Sequence, residues 1–522
     1  MNRANRRLVF LSVFLMLAVL GFPLSGSAGE GERLYVKHCA ECHGAGRLGG
    51  VGPALLPQNL KRLKKNQAAD VIANSRPAVQ MPPFAGVLTY GQIQVLVDLI
   101  YTPLSDIPTW GMDEIEKSRQ LLVKPDELPG NPIHKADPMN MFVVVELGDH
   151  HATILDGDRF EPLHRLKTRF ALHGGPKYSP TGRFVYFTSR DGWVSKFDMY
   201  SLQLVAEVRA GINTRNAAVS ADGRYVMVAN YLPHTLTVLN ADDLSPVKVI
   251  DVVGDNGDSS RVSAVYTAAP RDSFVVALKD IPELWEINYQ NPPPRGFGRW
   301  MHDYRLDSGE QSSDSLFPIR RIKVRDFLDD FLFSQDYATL IGASRKGSGQ
   351  VVDLDLGRSV RELSLPGMPH LSSGITWSRQ GQAVMATPNL KHGSVSIIDM
   401  NSWQTIKELE TLGPGFFMRS HENSPYAWVD VFFGPNKDAV HIIDKQSLEI
   451  VKTLRPEPGK TAAHVEFDKD GRHVLLSIWD MDGAVVVYDA NTLQEVKRLP
   501  MKKPSGKYNV HNKITRSEGT SH

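Results

Sequence analysis

Apolar positions fall into three textures along the chain. Leu8 to Leu20 is an almost unbroken apolar run behind Arg3, Arg6 and Arg7. From Glu30 to Cys39, and again from Tyr90 to Tyr101, apolar residues return at helical spacing and predict two helices. Beyond Asn140 the pattern shortens to alternation, in strands separated by turns that recur roughly every 40 to 45 residues, the period of a propeller blade. Ser179-Pro180-Thr181-Gly182-Arg183 matches Ser220-Ala221-Asp222-Gly223-Arg224 and Asp468-Lys469-Asp470-Gly471-Arg472, each a tight turn entering an alternating strand. A second turn recurs at Asn240-Ala241-Asp242, Asp444-Lys445-Gln446 and Asp489-Ala490-Asn491. Blades are expected to begin near Met141, Pro176, Asn216, Val262, Lys323, Gly374, Arg419 and Ala463.

These textures divide the chain into a leader (1–28), a small all-α domain (29–110), a Pro-rich and charged linker (111–140) and an all-β propeller (141–522), most simply eight-bladed. Lys507-Tyr508-Asn509-Val510-His511 is expected to close the ring on the first blade, and Gln290 to Ser315 to form a loop outside it. The leader reads as a secretory signal peptide cleaved after Ala28, and its apolar core is shorter than the roughly 20 residues a membrane span needs. No later stretch is apolar enough to span. With 59 basic against 58 acidic residues in 522, no global field points to nucleic acid or another polyanion.

The chain has two cysteines, both in Cys39-Ala40-Glu41-Cys42-His43. Thiols three positions apart lie about one helical turn apart, within reach of two vinyl groups of one porphyrin, with the histidine under its iron. A zinc site would want more Cys or His nearby, and a dithiol redox motif lacks the trailing histidine. Covalent haem c is therefore expected on Cys39 and Cys42, with His43 as iron ligand and a carbonyl near Gly52-Pro53 fixing its tautomer. Met81, between prolines, is the candidate sixth ligand, with Met112 a weaker rival. This segment resembles class I cytochrome c. Attachment of such a haem outside the bacterial cytoplasm agrees with an exported, periplasmic chain.

Taken singly, His173, His370 and His421 read as packing or acid–base residues, and Tyr231, Trp479 and Tyr508 as ordinary aromatic core. Their surroundings change that. Phe170-Ala171-Leu172-His173-Gly174, Gly211-Ile212-Asn213-Thr214-Arg215, Phe327-Leu328-Asp329-Asp330, Pro369-His370, Arg419-Ser420-His421 and Gly506-Lys507-Tyr508-Asn509-Val510 resemble segments of the cytochrome cd1 nitrite reductases. The resemblance implies that His173 is the proximal ligand of haem d1, that Arg215 and Arg190 pair with its carboxylates, and that Tyr231, Trp479 and Tyr508 line the ring. It departs at Asp329, where those enzymes carry one of two distal histidines. With that proton donor missing, the chain more closely resembles a sibling family, the periplasmic dihydro-haem d1 dehydrogenases. That likeness implies oxidation of a propionate side chain of dihydro-haem d1 to acrylate, with electrons passed to haem c and on to a periplasmic acceptor. His421 is the expected base and His370 its substitute. Other haem d1 biosynthesis proteins or nitrite reductase are the implied partners. The rival readings are nitrite reduction and a non-enzymatic haem d1 carrier.

Overall fold

The computed structural model describes residues 29–50, 52–61, 63–75, 81–106, 108–291, 316–344, 348–516 and 518–519. The expected signal peptide, and nearly all of the expected loop at 290–315, lie outside these residues.

In the helical domain, Glu30–His38 packs closely across Tyr90–Ile100 at Gly31, where a Cβ would lie 3.4 Å from both Val95 and Leu99, at the edge of ordinary contact. The second helix starts at Thr89, whose hydroxyl accepts from Gln92 N at 3.3 Å while Gln92 Oε1 accepts from Thr89 N at 2.9 Å. Tyr35, Leu60, Ile72, Leu96 and Val97 make the core, with Cys39 and Met81 packed against it.

Eight antiparallel sheets follow. Seven of their inner strands come in chain order: Lys177–Tyr178, Asn213–Val219, Val262–Ala268, Asp330–Phe333, Ile375–Arg379, Met418–Arg419 and Ala462–Phe467. The inner strand of blade 1 is instead Pro504–Asn509, which pairs with Phe142–Glu146 and sets Tyr508 opposite Val143. This is the expected ring closure. Strand alternation then builds a core between each pair of neighbouring blades. Val143 packs toward blade 2 with Val185 and Phe187, whereas Phe142 and Val144 pack toward blade 8 with Leu475 and Val485. Side chains on both sheet faces are thus buried, as the near-continuous apolar strands require.

The segment expected as a linker carries structure of its own. Met112–Ser118 is a helix whose Ile115 enters the core between blades 2 and 3, and Gln120–Leu121 adds a fifth strand to blade 2. Met112 therefore sits on the propeller flank, outside the helical core that Met81 joins.

Antiparallel order divides the loops between two faces. The recurrent turns, such as Ser179 to Arg183 with Gly182 at φ 75°, join first to second strands and lie on one face. The loops entering each inner strand, and those joining second to third strands, lie on the other. The helical domain docks on this second face: Ala54 and Leu56 pack with Ile212 and Leu232, Asn59 Nδ2 donates to Ile212 O at 3.3 Å, and Arg209 donates to Leu48 O.

Candidate functional site

His43 is buried at the end of the turn Ala40–His43, and its Nδ1 donates to Pro53 O at 2.8 Å. The proton is thereby fixed on Nδ1 and the lone pair left on Nε2. Burial lowers the pKa of the ring, keeping it neutral, and pushes the Cys39 thiol up to about 11. Gly52 lies flat on the imidazole, where a Cβ would be 2.7 Å from Cε1. Both thiols are free, and Cys42 is exposed. This donor set, two thiols one turn apart beside a neutral imidazole held by a carbonyl, fits covalent haem c. Met81 borders the same core, its carbonyl accepting from Ser75 Oγ at 2.5 Å.

The loop face of the propeller gathers most of the remaining candidates around one mouth. His173 sits on a loop bent through left-handed backbone at Ala171 (φ 48°), Gly174 (83°) and Gly175 (68°). The glycines are required by close approach: a Cβ on Gly175 would lie 2.9 Å from the Tyr508 ring, and one on Gly174 would lie 2.6 Å from Asn216 Cβ. His173 Nδ1 donates to Arg215 O at 2.6 Å, and Nε2 accepts from Arg215 Nη1 at 2.8 Å. The tautomer leaves the lone pair on Nε2, where Arg215 Nη1 holds it, so an iron would have to take the place of that guanidinium contact. Arg215 is steadied by Ser263 O, 3.0 Å from its Nε. The Arg190 backbone ties this loop to the next inner strand, with N–H to Ala171 O at 3.1 Å and carbonyl to Thr214 N at 3.3 Å.

Asp329 enters the same face and pairs with Lys279, both largely buried. Lys279 and Arg261 lie over the Tyr231 ring at 5.8 and 5.5 Å. Where the nitrite reductase pattern has a distal histidine, this chain has a neutralised ion pair.

Opposite stands an aromatic arc that the sequence reading largely missed. His370 packs on Phe416 at 4.2 Å, Phe416 on Phe417 at 4.5 Å, Phe417 on His464 at 4.6 Å and His464 on Tyr508 at 5.1 Å. Phe432 bridges Phe416 to Trp479, 4.9 Å away, and Trp479 Nε1 is buried without a partner among the described residues. His464 occupies a bulge between Ala463 and Val465 at φ 54°, backbone that a non-glycine residue adopts at a cost. Burial first, then the charges of Lys507 and Arg419, hold its pKa well below the ordinary value. Its Nε2 makes no hydrogen bond among the described residues. His370 is also lowered, chiefly by burial; its Nδ1 donates to Phe416 O at 2.6 Å and Nε2 faces Ser372 Oγ at 3.3 Å. Beneath the arc, Asp430 accepts from the backbone N–H groups of Phe416, Phe417 and His464 at 2.7, 3.0 and 3.1 Å.

His421 does not join this mouth. It follows Met418–Arg419 into the turn on the opposite face, fully buried, with Nδ1 accepting from Asn423 N at 3.1 Å and Gly471 packed on its ring. The sequence placed it beside Arg419 without showing that the inner strand is only two residues long and passes between the two faces. The usable signal for His464 was its position two residues into the last blade, the place His370 and His173 approach in theirs.

An apolar, aromatic-walled mouth with a tautomer-fixed histidine, arginines and an unsatisfied indole N–H fits a carboxylated iron macrocycle. The family description "Cytochrome D1 heme domain" matches residues 136–513, and "Cytochrome C oxidase, cbb3-type, subunit III" matches 26–100. The chain belongs to the cytochrome d1 haem-domain family, with an N-terminal cytochrome c domain. Within it, the chain is 55% identical to "Dihydro-heme d1 dehydrogenase" of Pseudomonas aeruginosa over 519 residues, covering 99% of this chain and 100% of the relative. It is 24% identical to "Nitrite reductase" of Stutzerimonas stutzeri, with 92% of each chain covered. The solved structure "Dihydro-heme d1 dehydrogenase NirN in complex with DHE" superposes with a TM-score of 0.87 at 56% identity, covering 93% of this chain and 100% of that one.

Proposed function

We propose that this protein is a periplasmic dihydro-haem d1 dehydrogenase that converts a propionate side chain of the haem d1 precursor to acrylate. The observation that carries the reading is the 55% identity to such an enzyme along essentially the whole of both chains. His173 Nε2 is the side chain suited to the substrate iron, and Arg215 and Arg190 to its carboxylates. The aromatic arc from His370 to Tyr508 supplies a dry wall.

The reaction removes two protons and two electrons from a saturated carbon pair. We assign the base to His464, whose ring is neutral, rigidly packed between Phe417 and Tyr508, and free of hydrogen bonds at Nε2 among the described residues; the cations beside it weaken its basicity and favour release of the proton once taken. His370 is positioned for the second proton, its lone pair met among the described residues by a 3.3 Å hydroxyl contact. A haem held by Cys39, Cys42 and His43 would supply one-electron acceptance, through which the two electrons of a turnover could leave singly to an external periplasmic acceptor. Ile212, which touches the helical domain, is three residues of chain from Arg215, about 10 Å of strand.

The test is anaerobic addition of dihydro-haem d1 to the oxidised protein. Conversion of the ring spectrum with reduction of haem c supports the reading. A bound but unchanged ring would identify a carrier instead, and sustained nitrite turnover a reductase. The buried Lys279–Asp329 pair weighs against the last, since the second distal histidine is absent.

A further inference from the structure

Arg209 joins the two domains at the loop that wraps His43. It ends the strand Gln203–Arg209 of blade 2 and is 4% exposed. Its Nε donates to Asp191 O at 2.9 Å within the propeller, and its Nη2 donates to Leu48 O in the helical domain. The approach is so close that a Cβ on Gly49 would lie 2.8 Å from Nη2. One peptide unit, Leu48–Gly49, then completes the bridge. Its carbonyl accepts from Arg209, and its N–H donates to His43 O at 2.9 Å.

The propeller holds this arginine firmly. Trp110 stacks with the guanidinium, whose carbon is 4.7 Å from the ring centre, and Trp110 Nε1 donates to Arg209 O at 2.8 Å. Ser118 Oγ accepts from Arg209 N at 2.9 Å. The Asp191 carboxylate acts on the charge and offsets part of it, while accepting its own bond from Ser189 Oγ. A neutral donor would serve the two carbonyls as well, and burying a cation is costly. What a neutral donor lacks is the field. A positive charge at one end of a hydrogen-bonded peptide polarises it, and in a dry interface that field acts against further positive charge beyond His43.

We propose that Arg209 is a positioning residue for electron transfer, seating the helical domain on the propeller and, through its charge, favouring the ferrous state of haem c and raising its reduction potential. Its use in taking electrons from the macrocycle rests on the dehydrogenase reading above; the potential itself belongs to haem c whatever the donor.

The test is a spectroelectrochemical titration of haem c in the full-length protein without substrate. Arg209→Gln should shift the ratio of ferric to ferrous haem at fixed potential at least threefold toward ferric, a fall of about 28 mV at 59 mV per tenfold, with iron ligation intact. Arg209→Lys should restore the wild-type value at neutral pH, and Lys124→Met, which removes an exposed charge, should not move it. An unchanged potential in Arg209→Gln, loss of its iron ligation, or failure of Arg209→Lys to restore the value would overturn the proposal. Should Arg209→Gln not fold, Arg209→Lys decides: an amine deprotonates where a guanidinium does not, so its potential should fall below that of the wild type between about pH 8 and 11, and superimposed profiles would overturn the proposal. If the macrocycle is not converted, the dehydrogenase reading fails and this titration still decides the role of Arg209.

Discussion

Replacing His464 and His421 separately by Gln distinguishes the two faces of the propeller. Gln preserves most of the ring volume between Phe417 and Tyr508 while removing the basic lone pair. A positioned general base contributes about 10²- to 10⁴-fold, or about 2.7 to 5.4 kcal/mol of barrier at 1.36 kcal/mol per tenfold. His464→Gln should therefore slow single-turnover conversion of dihydro-haem d1 by that factor and leave its dissociation constant within about threefold. His421→Gln should convert at the wild-type rate but melt earlier. Its ring is fully buried against Gly471 on the far face, and losing a packed hydrogen-bonding side chain costs about 1 to 3 kcal/mol. Because His464 is held well below its ordinary pKa, the wild-type rate should be flat through neutral pH and decline only in acid. Ring absorbance and haem c reduction, followed together by stopped flow, give the rate. A His464→Gln rate within threefold of wild type would refute the assignment, as would a hundredfold loss in a normally melting His421→Gln.

Two further outcomes rest on the supports of the two sites. Burial raises Asp430 from 3.8 to about 6, so the folded protein holds its proton more tightly than the unfolded chain. Its contribution is full below the unfolded pKa and lost as pH rises through 6, about 3 kcal/mol at 1.36 kcal/mol per unit. Asp430→Asn, whose amide oxygen keeps the bonds from Phe416 N and Phe417 N but whose NH2 replaces the oxygen that accepts from His464 N, should lower stability overall and flatten this part of its profile between pH 4 and 7, and an unchanged slope in urea unfolding would count against it. Gly52→Ala places a methyl 2.7 Å from the His43 ring, and the displaced imidazole should lower the yield of ligated haem c, read as loss of its reduced-band intensity; a normal spectrum would show that the close approach is dispensable.

Much of the fold was legible because propeller blades repeat a local rule. Turn glycines such as Gly182, Gly223 and Gly471 need positive φ wherever first and second strands meet, so they announce the blades one by one. The predicted starts at Met141, Val262 and Ala463 fall within a residue of Phe142, Val262 and Ala462. The segment 111–140 was harder to read. Its helix is seven residues long and one side chain, Ile115, anchors it, too little for a periodic signal.

The site was legible where a motif fixes chemistry by spacing and illegible where topology does. Cys39, Cys42 and His43 are neighbours in sequence, and a carbonyl ten residues on completes their geometry. The mouth instead assembles from loops of separate blades, and the repeated turns most visible in the sequence lie on the opposite face. His421, next to such a turn, was drawn into the site by its neighbours in sequence. His464 was passed over because its distinguishing feature is a strained bulge, which no residue type announces. The carboxylate of Asp430 makes that strain tolerable. By accepting from His464 N as well as from Phe416 and Phe417, it fastens the bulge and the aromatic wall to one point. A base whose orientation depends on a buried carboxylate below it is preorganised before substrate arrives, so its position costs nothing at the moment of proton transfer.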